Sequence, residues 1–246
     1  MYLQLKAFMR SFWFRILAVC AFGVAAAPAF AGMCQTPFMH DGGHVTLAGQ
    51  GTFNLGADLS FSEVSKQGDN SCKARVQGKA TYGLAGLPGG SSRVDYWMTV
   101  RNGEASFEKQ DESGRRVPVQ GKFDLRMLGL FSYAQPITHA GQTFPGQHFQ
   151  IQVDNKGSKP VRINTTERTV GEKQTLQTAA GAQSCWPVRY TRTSEATQAS
   201  FSGLVLPIPA MTAQVTDWYC PDVSMVMKQE SVQSGVSSYV EVTELR

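Results

Sequence analysis

The sequence predicts a mainly β fold tied by disulfides, with at most one or two short helices, and three observations lead there. Apolar residues recur mostly with period two, as in strands that bury one face. Gly, Asn, Ser and Pro separate these segments, as turns do. Four cysteines, Cys34, Cys72, Cys185 and Cys220, remain once an N-terminal leader is set aside, and an exported chain uses such a set as two disulfides.

The leader comes first. Lys6, Arg10 and Arg15 precede the apolar run from Ile16 to Ala27; Pro28 breaks it and Ala29-Phe30-Ala31 supplies a small-x-small cleavage triplet. The run is shorter than the ~20 residues a spanning helix needs, so a retained anchor is disfavoured. Ala31, Gly32 and Met33 suit a lipoprotein acylation site at Cys34 poorly. The expectation is a signal peptide over 1–31, cleaved near Ala31, and a single periplasmic or secreted β-rich domain over 32–246, with halves 32–136 and 137–246. The chain carries 23 basic and 19 acidic side chains. Three of the bases leave with a leader that holds no acid, so the remainder is nearly neutral. Nucleic-acid binding requires a basic surplus, and that class is excluded.

Along the exported part, Val94, Tyr96, Met98 and Val100 share one face of a strand, with Asp95, Trp97 and Thr99 on the other. Asn102-Gly103 follows, the pair favoured in tight hairpin turns, and the pattern resumes at Phe107. A second turn is expected at Glu112-Ser113-Gly114, before Val117 and Val119. Phe149, Ile151 and Val153 alternate with His148, Gln150 and Gln152, and Asp154–Gly157 turns the chain into Val161, Ile163 and Thr165. Trp186, Val188 and Tyr190 alternate, Trp218 and Tyr219 belong to a later strand, and Tyr239–Thr243 form the last. One short helix is expected near Phe123–Leu130, weakened by Gly129. The Gly-rich stretch Gly83–Ser92 lacks the lysine of a phosphate loop, so it is read as a mobile connection.

If the strand Ser184–Arg192 pairs antiparallel with Thr212–Cys220, Cys185 falls opposite Cys220, within the Cα separation that a disulfide spans. Cys34 is then left to Cys72. Four cysteines allow three pairings, and Pro187 removes one ladder donor from the first strand. Between these strands lies Phe201–Met211, apolar where a hairpin loop should be polar. It either folds back over an open end of the sheet or offers a lid or contact surface, through Phe201, Leu204, Val205, Leu206, Ile208 and Met211, to an apolar ligand or partner.

Several motifs lie in the C-terminal half in consistent order. They are Ala140-Gly141-Gln142-Thr143-Phe144-Pro145-Gly146, Glu167–Leu176, Thr178–Cys185 and Asp217–Glu230. From about residue 137 to 245 the chain resembles the TapB-like group of uncharacterised bacterial periplasmic proteins. It departs from the pattern at Ala179, Ala182-Gln183, Ser224 and Met227, where the group carries Pro, Thr-Phe, Gly and Lys. The resemblance implies a curved antiparallel sheet or half-barrel like that of lipoprotein carriers, and no established activity.

Chemistry-bearing motifs are scarce. His40-Asp41-Gly42-Gly43-His44 places two imidazoles near a carboxylate, a weak metal candidate at His40 and His44 that reads better as a solvated turn. His139 and His148 read as surface positions. No G-x-S-x-G or H-E-x-x-H occurs, and oxidised cysteines provide no thiol nucleophile. The expectation is a non-enzymatic protein without cofactor that is not membrane-spanning after cleavage. It would hold a lipid or other apolar small molecule on a concave face, where Trp97 and Trp218 could present rings. The alternative is a structural envelope-assembly protein that contacts other envelope proteins.

Overall fold

Among the described residues, seventeen strands follow one another in the computed structural model, with a 3-10 turn at Met33–Gln35. The structure describes residues 32–246 apart from positions 52, 69, 85–89, 102–103, 120–126, 128, 131, 134, 152–158 and 202–203. The leader, the Asn102-Gly103 turn, most of the expected helix, the 154–157 turn and the middle of the Gly-rich stretch therefore lie outside the described residues.

The first strands are β1 (His44–Gly51), β2 (Phe53–Lys66), β3 (Cys72–Leu84), β4 (Gly90–Arg101), β5 (Glu104–Gln110) and β6 (Arg116–Pro118). Each pairs antiparallel with the next. The period-two pattern dictates the faces: Val94, Tyr96, Met98 and Val100 are buried while Asp95, Trp97 and Thr99 are half-exposed. Arg101 faces Glu104, so β4 and β5 form the hairpin expected there. The β5–β6 turn is built on Asp111, whose Oδ1 accepts from the backbone N–H of Ser113 and Arg115, both at 2.9 Å. Gly114 closes that turn at φ +79°.

The later strands are β7 (Thr143–Phe144), β8 (His148–Ile151), β9 (Val161–Thr165), β10 (Arg168–Val170), β11 (Gln174–Thr178), β12 (Gly181–Ser194), β13 (Thr197–Phe201), β14 (Leu204–Ile208), β15 (Met211–Cys220), β16 (Met225–Gln233) and β17 (Val236–Leu245). The main sheet has 15 strands, and its path runs β6-β5-β4-β3-β2-β1-β17-β16-β15-β12-β10-β7, with β8, β9 and β11 attached beside it. It is antiparallel and does not close. The pairing of β1 with β17 joins the two halves into one sheet, reinforced by reciprocal bonds between His44 and Arg246 backbones at 2.7 and 3.0 Å.

Trp186 pairs with Tyr219 and Ser194 with Met211, the register that sets Cys185 beside Cys220. A disulfide joins these two, Cα–Cα 4.1 Å, and a second joins Cys34 to Cys72 at 5.7 Å. Most of the described part of Phe201–Met211 is strand rather than loop. Thr197 pairs with Ile208 and Phe201 with Leu204, which continues the β12–β15 register outward into a separate two-stranded arm. The alternation of Leu204, Leu206 and Ile208 with Val205 and Pro207 is strand pattern, hidden in the sequence because both faces carry apolar residues.

Side chains from the inner faces of β1–β4 and β15–β17 share one core, so the sheet bends around it. Residues 32–43 fill its N-terminal end: Phe38 stacks on Phe61 with ring centres 4.5 Å apart, and the Cys34–Cys72 bond fastens this plug. A strap, residues 129–147 apart from positions 131 and 134, covers the inner face of the C-terminal strands and includes β7, which pairs with β10. Tyr133, Ile137 and Phe144 on the strap pack with Val170, Trp186, Val188, Tyr219 and Val226.

Candidate functional site

Where the strap meets the sheet, a polar cluster is buried in apolar surroundings. Asp217, on the inward face of β15, has no solvent exposure. Its Oδ2 accepts from the Tyr133 hydroxyl at 2.7 Å, and its Oδ1 from the Gln229 amide at 2.8 Å. The Tyr190 hydroxyl also bonds it, while accepting from Gln229 at 3.4 Å. Arg192 donates to the Gln229 amide oxygen at 3.3 Å and to the Met127 carbonyl at 3.5 Å. Four elements meet here: strap, β12, β15 and β16.

Electrostatics follow from burial. Desolvation raises the Asp217 pKa, and the hydrogen bonds from Tyr133, Gln229 and Tyr190 offset only part of that rise. Burial and then the neighbouring carboxylate drive Tyr133 and Tyr190 far above the ordinary phenol value. Neither phenol is an acid or base at neutral pH. The nearly buried Arg168 lies over the Tyr133 ring at 4.9 Å and donates to the Ser132 and Pro145 carbonyls at 3.1 and 3.3 Å. Arg168 thus holds the strap by its backbone, Arg192 bonds the Met127 carbonyl just ahead of it, and Asp217 holds it by the Tyr133 side chain. The cavity beside Tyr133 measures about 10 Å³, room for one water. This geometry clamps a segment and gives a substrate no access to the carboxylate.

The sequence reading missed Asp217 because it sought pairs of carboxylates. A usable signal was present: in Ala213, Val215, Asp217 and Tyr219 the acid occupies an inward position of an otherwise apolar stripe. Tyr190 was read only as an aromatic position of an alternating strand, which describes its ring and omits its hydroxyl, and Tyr133 was not singled out.

The residues singled out from sequence are spread over the sheet. Trp97 stands on the outer face of β4 between two guanidinium groups, Arg75 at 4.9 Å and Arg116 at 4.5 Å from the ring centre. Trp218 lies on β15, separated from β4 by five strands along the sheet path, and its Nε1 donates to Glu230 at 3.0 Å. Burial pulls the Glu230 pKa up, but bonds from Lys228 and Trp218 hold it below the usual carboxylate range. The two indoles do not line one site. On the arm, Val205 is 55 % exposed, Pro207 is exposed, and Ile208 and Met211 are half-buried. His40 Nδ1 bonds the Asp41 carbonyl at 3.0 Å. His44 turns instead to Ser60, Thr46 and Asp58 at 3.3, 3.1 and 3.5 Å. His139 meets Thr138, and His148 meets Asn164. Among the described residues, no three His, Cys, Asp or Glu side chains converge as a metal would require.

Residues 130–239, from the strap into β17, match a family model described as DUF3108-like. A solved structure from Bacteroides fragilis, described as an exported protein with a YmcC-like fold, superposes with TM-score 0.51 at 14 % identity, covering 84 % of this chain and 96 % of that one. A Parabacteroides distasonis protein described as a lipoprotein gives TM-score 0.48 at 15 % identity, covering 87 % and 99 %. The hypothetical lipoprotein YmcC from Escherichia coli gives 0.36 at 13 %, covering 88 % and 90 %. No curated protein matches the chain.

Proposed function

We propose that this is an exported, non-enzymatic accessory protein of the bacterial envelope that acts by contact with another envelope protein. The observation that carries the reading is the filled inner face. The N-terminal plug and the strap occupy the concavity that an acyl chain would need, and beside Tyr133 they leave about 10 Å³. Ligand pockets for drug-sized molecules run to ~300–1,000 Å³, more than an order of magnitude larger. Of the two functions expected from the sequence, envelope assembly gains this support and the lipid carrier does not.

Export is supported by the leader-like residues 1–31 and by the description of the Bacteroides fragilis structure as an exported protein. A periplasmic residence, with cleavage near Ala31 and one domain over 32–246, is part of this proposal. The continuous sheet through β1 and β17 favours one domain over two. The TapB-like reading of residues 137–245 rests on its motifs. No helix among the described residues is long and apolar enough to cross a membrane.

The contact surface in this reading is the β13–β14 arm, which leaves the main sheet and exposes Val205. A photo-crosslinking residue at position 205, irradiated in intact cells, should give one discrete adduct with an envelope protein. Absence of an adduct, together with stoichiometric lipid in denaturing extracts of the purified protein, would replace this reading with the carrier.

A further inference from the structure

The connections of the main sheet fall at two ends, and their side chains differ. Gly51 pairs with Ser238, Phe53 with Leu84 and Tyr82 with Gly90, so the β1–β2, β3–β4 and β16–β17 connections lie at one end. Gln214 pairs with Val232 and Ser194 with Met211, which puts the base of the β13–β14 arm at that same end. The sequence has no Asp, Glu, Lys, Arg or His at any of these four places: none from 45 to 57, 80 to 92, 196 to 216 or 231 to 240. The other end is charged. Lys66 and Lys73 flank the β2–β3 connection, Arg101 and Glu104 the β4–β5 turn, and Asp222 lies in the β15–β16 turn.

Apolar exposure follows the same division. Among the described residues, the large apolar side chains that stand exposed are Val205 on the arm and Val232 and Val236 beside the β16–β17 turn. Pro207, Pro209 and Ala210 are exposed as well. One exposed valine needs no explanation, but all three share the end that lacks charge. A protein interface keeps a polar rim, whereas a lipid surface penalises any charge carried into it. Four uncharged connections at one end meet the second condition. The β8–β9 connection beside the arm is the exception, with Asp154, Lys156 and Lys159. Lys159 is exposed, and its backbone N–H donates to the Gln198 carbonyl of the arm at 3.2 Å. A lysine there suits anionic headgroups at the margin of such a contact.

We propose that this end of the sheet rests on a phospholipid bilayer, with Val205, Val232 and Val236 among its contacts. The contact is peripheral. The arm is a sheet of two strands, and unpaired edge groups do not enter hydrocarbon, so it lies in the headgroup layer. The inference goes beyond the protein contact read at Val205. It places that contact at the membrane surface and does not require it, since lipid alone is the ligand.

The test uses the purified exported protein and vesicles of phosphatidylethanolamine with phosphatidylglycerol. The parent should float with the vesicles at low and at high salt, because salt screens charge and not apolar contact. Val232→Asp combined with Val236→Asp should reduce the floated fraction about tenfold or more. Both positions are exposed, so the thermal melt of this variant should match the parent. An environment-sensitive fluorophore attached through Val236→Cys should shift to the blue with vesicles. One attached through Gln67→Cys, exposed at the charged end, should not. The two labels decide the outcome if the Asp variant unfolds. No flotation, flotation lost at high salt, equal flotation of the folded Asp variant, or equal shifts at 67 and 236 overturns the proposal. A crosslink at Val205 without flotation keeps the protein partner and removes the bilayer; flotation without a crosslink keeps the bilayer and counts against the partner.

Discussion

Asp217 shows what one residue contributes when its surroundings are decided by distant parts of the chain. Alone it is one acid in a strand; folded, it is the acceptor on which Tyr133, Tyr190 and Gln229 converge. Asp217→Ala leaves those donors buried without an acceptor, at ~1–3 kcal/mol for each group so stranded, and urea melts should show a loss of that order or more. Asp217→Asn tests the charge. The folded pKa is raised, so the native state holds its proton to higher pH than the unfolded chain, and stability falls as pH rises from about 4, the unfolded value, through the folded pKa. Asparagine cannot ionise. The stability of the variant relative to the parent should therefore improve across that window, and flat relative stability from acid to neutral pH would refute the shift. Gly129 supplies a second test. It sits at φ +74°, and an added Cβ would stand 2.9 Å from Val226 Cγ1 and 3.3 Å from Asp217 Oδ1. Gly129→Ala should cost ~1–3 kcal/mol in thermal or urea melts through the left-handed backbone and the displaced side chains.

At the scale of the element, register is the quantity that matters. The β12–β15 hairpin has one register from the disulfide at its base to the tip of the arm, so slipping it by one residue would turn Val188, Tyr190, Val215 and Asp217 outward together. The Cys185–Cys220 bond makes such a slip impossible without breaking it. Removing the bond with Cys185→Ala and Cys220→Ala should cost ~2–4 kcal/mol in denaturant melts, for a separation of 35 residues. This hairpin was legible in the sequence because Trp186, Val188 and Tyr190 alternate and the cysteines mark its base. Its outer half was not, because apolar residues on both faces of Leu204–Ile208 erase the alternation that identifies a strand.

For the whole molecule, the decisive property is that the chain fills its own concavity. Phe38 is 1 % exposed and stacked on Phe61, at the centre of the N-terminal plug. Phe38→Ala should cost ~3–5 kcal/mol and open a dry apolar cavity, which should take up benzene or xenon where the parent does not. Equal uptake by the parent would mean that the inner face is already open, and would revive the lipid-carrier reading. The arm should behave oppositely. Val205→Asp lies on exposed surface and should change stability by no more than ~0.5 kcal/mol, yet abolish the partner adduct if a probe is placed at a neighbouring arm position. A variant that unfolds would show that the arm is part of the core.

The β class, the pairing of β4 with β5, the β12–β15 hairpin and the juxtaposition of Cys185 with Cys220 were all readable from residue order. Each depends on spacing along the chain: period two, turn residues, or antiparallel register between neighbouring strands. Three things were decided only in three dimensions. The strap lacks periodicity, so nothing local says that residues 129–147 cross the sheet. Asp217 acquires its environment from Tyr133, 84 positions earlier in the chain. The order of strands, with β1 beside β17, joins residues from opposite ends. Spacing along a chain encodes what a residue's neighbours in sequence can do; which remote side chains desolvate it is settled by how all the apolar surfaces are buried at once.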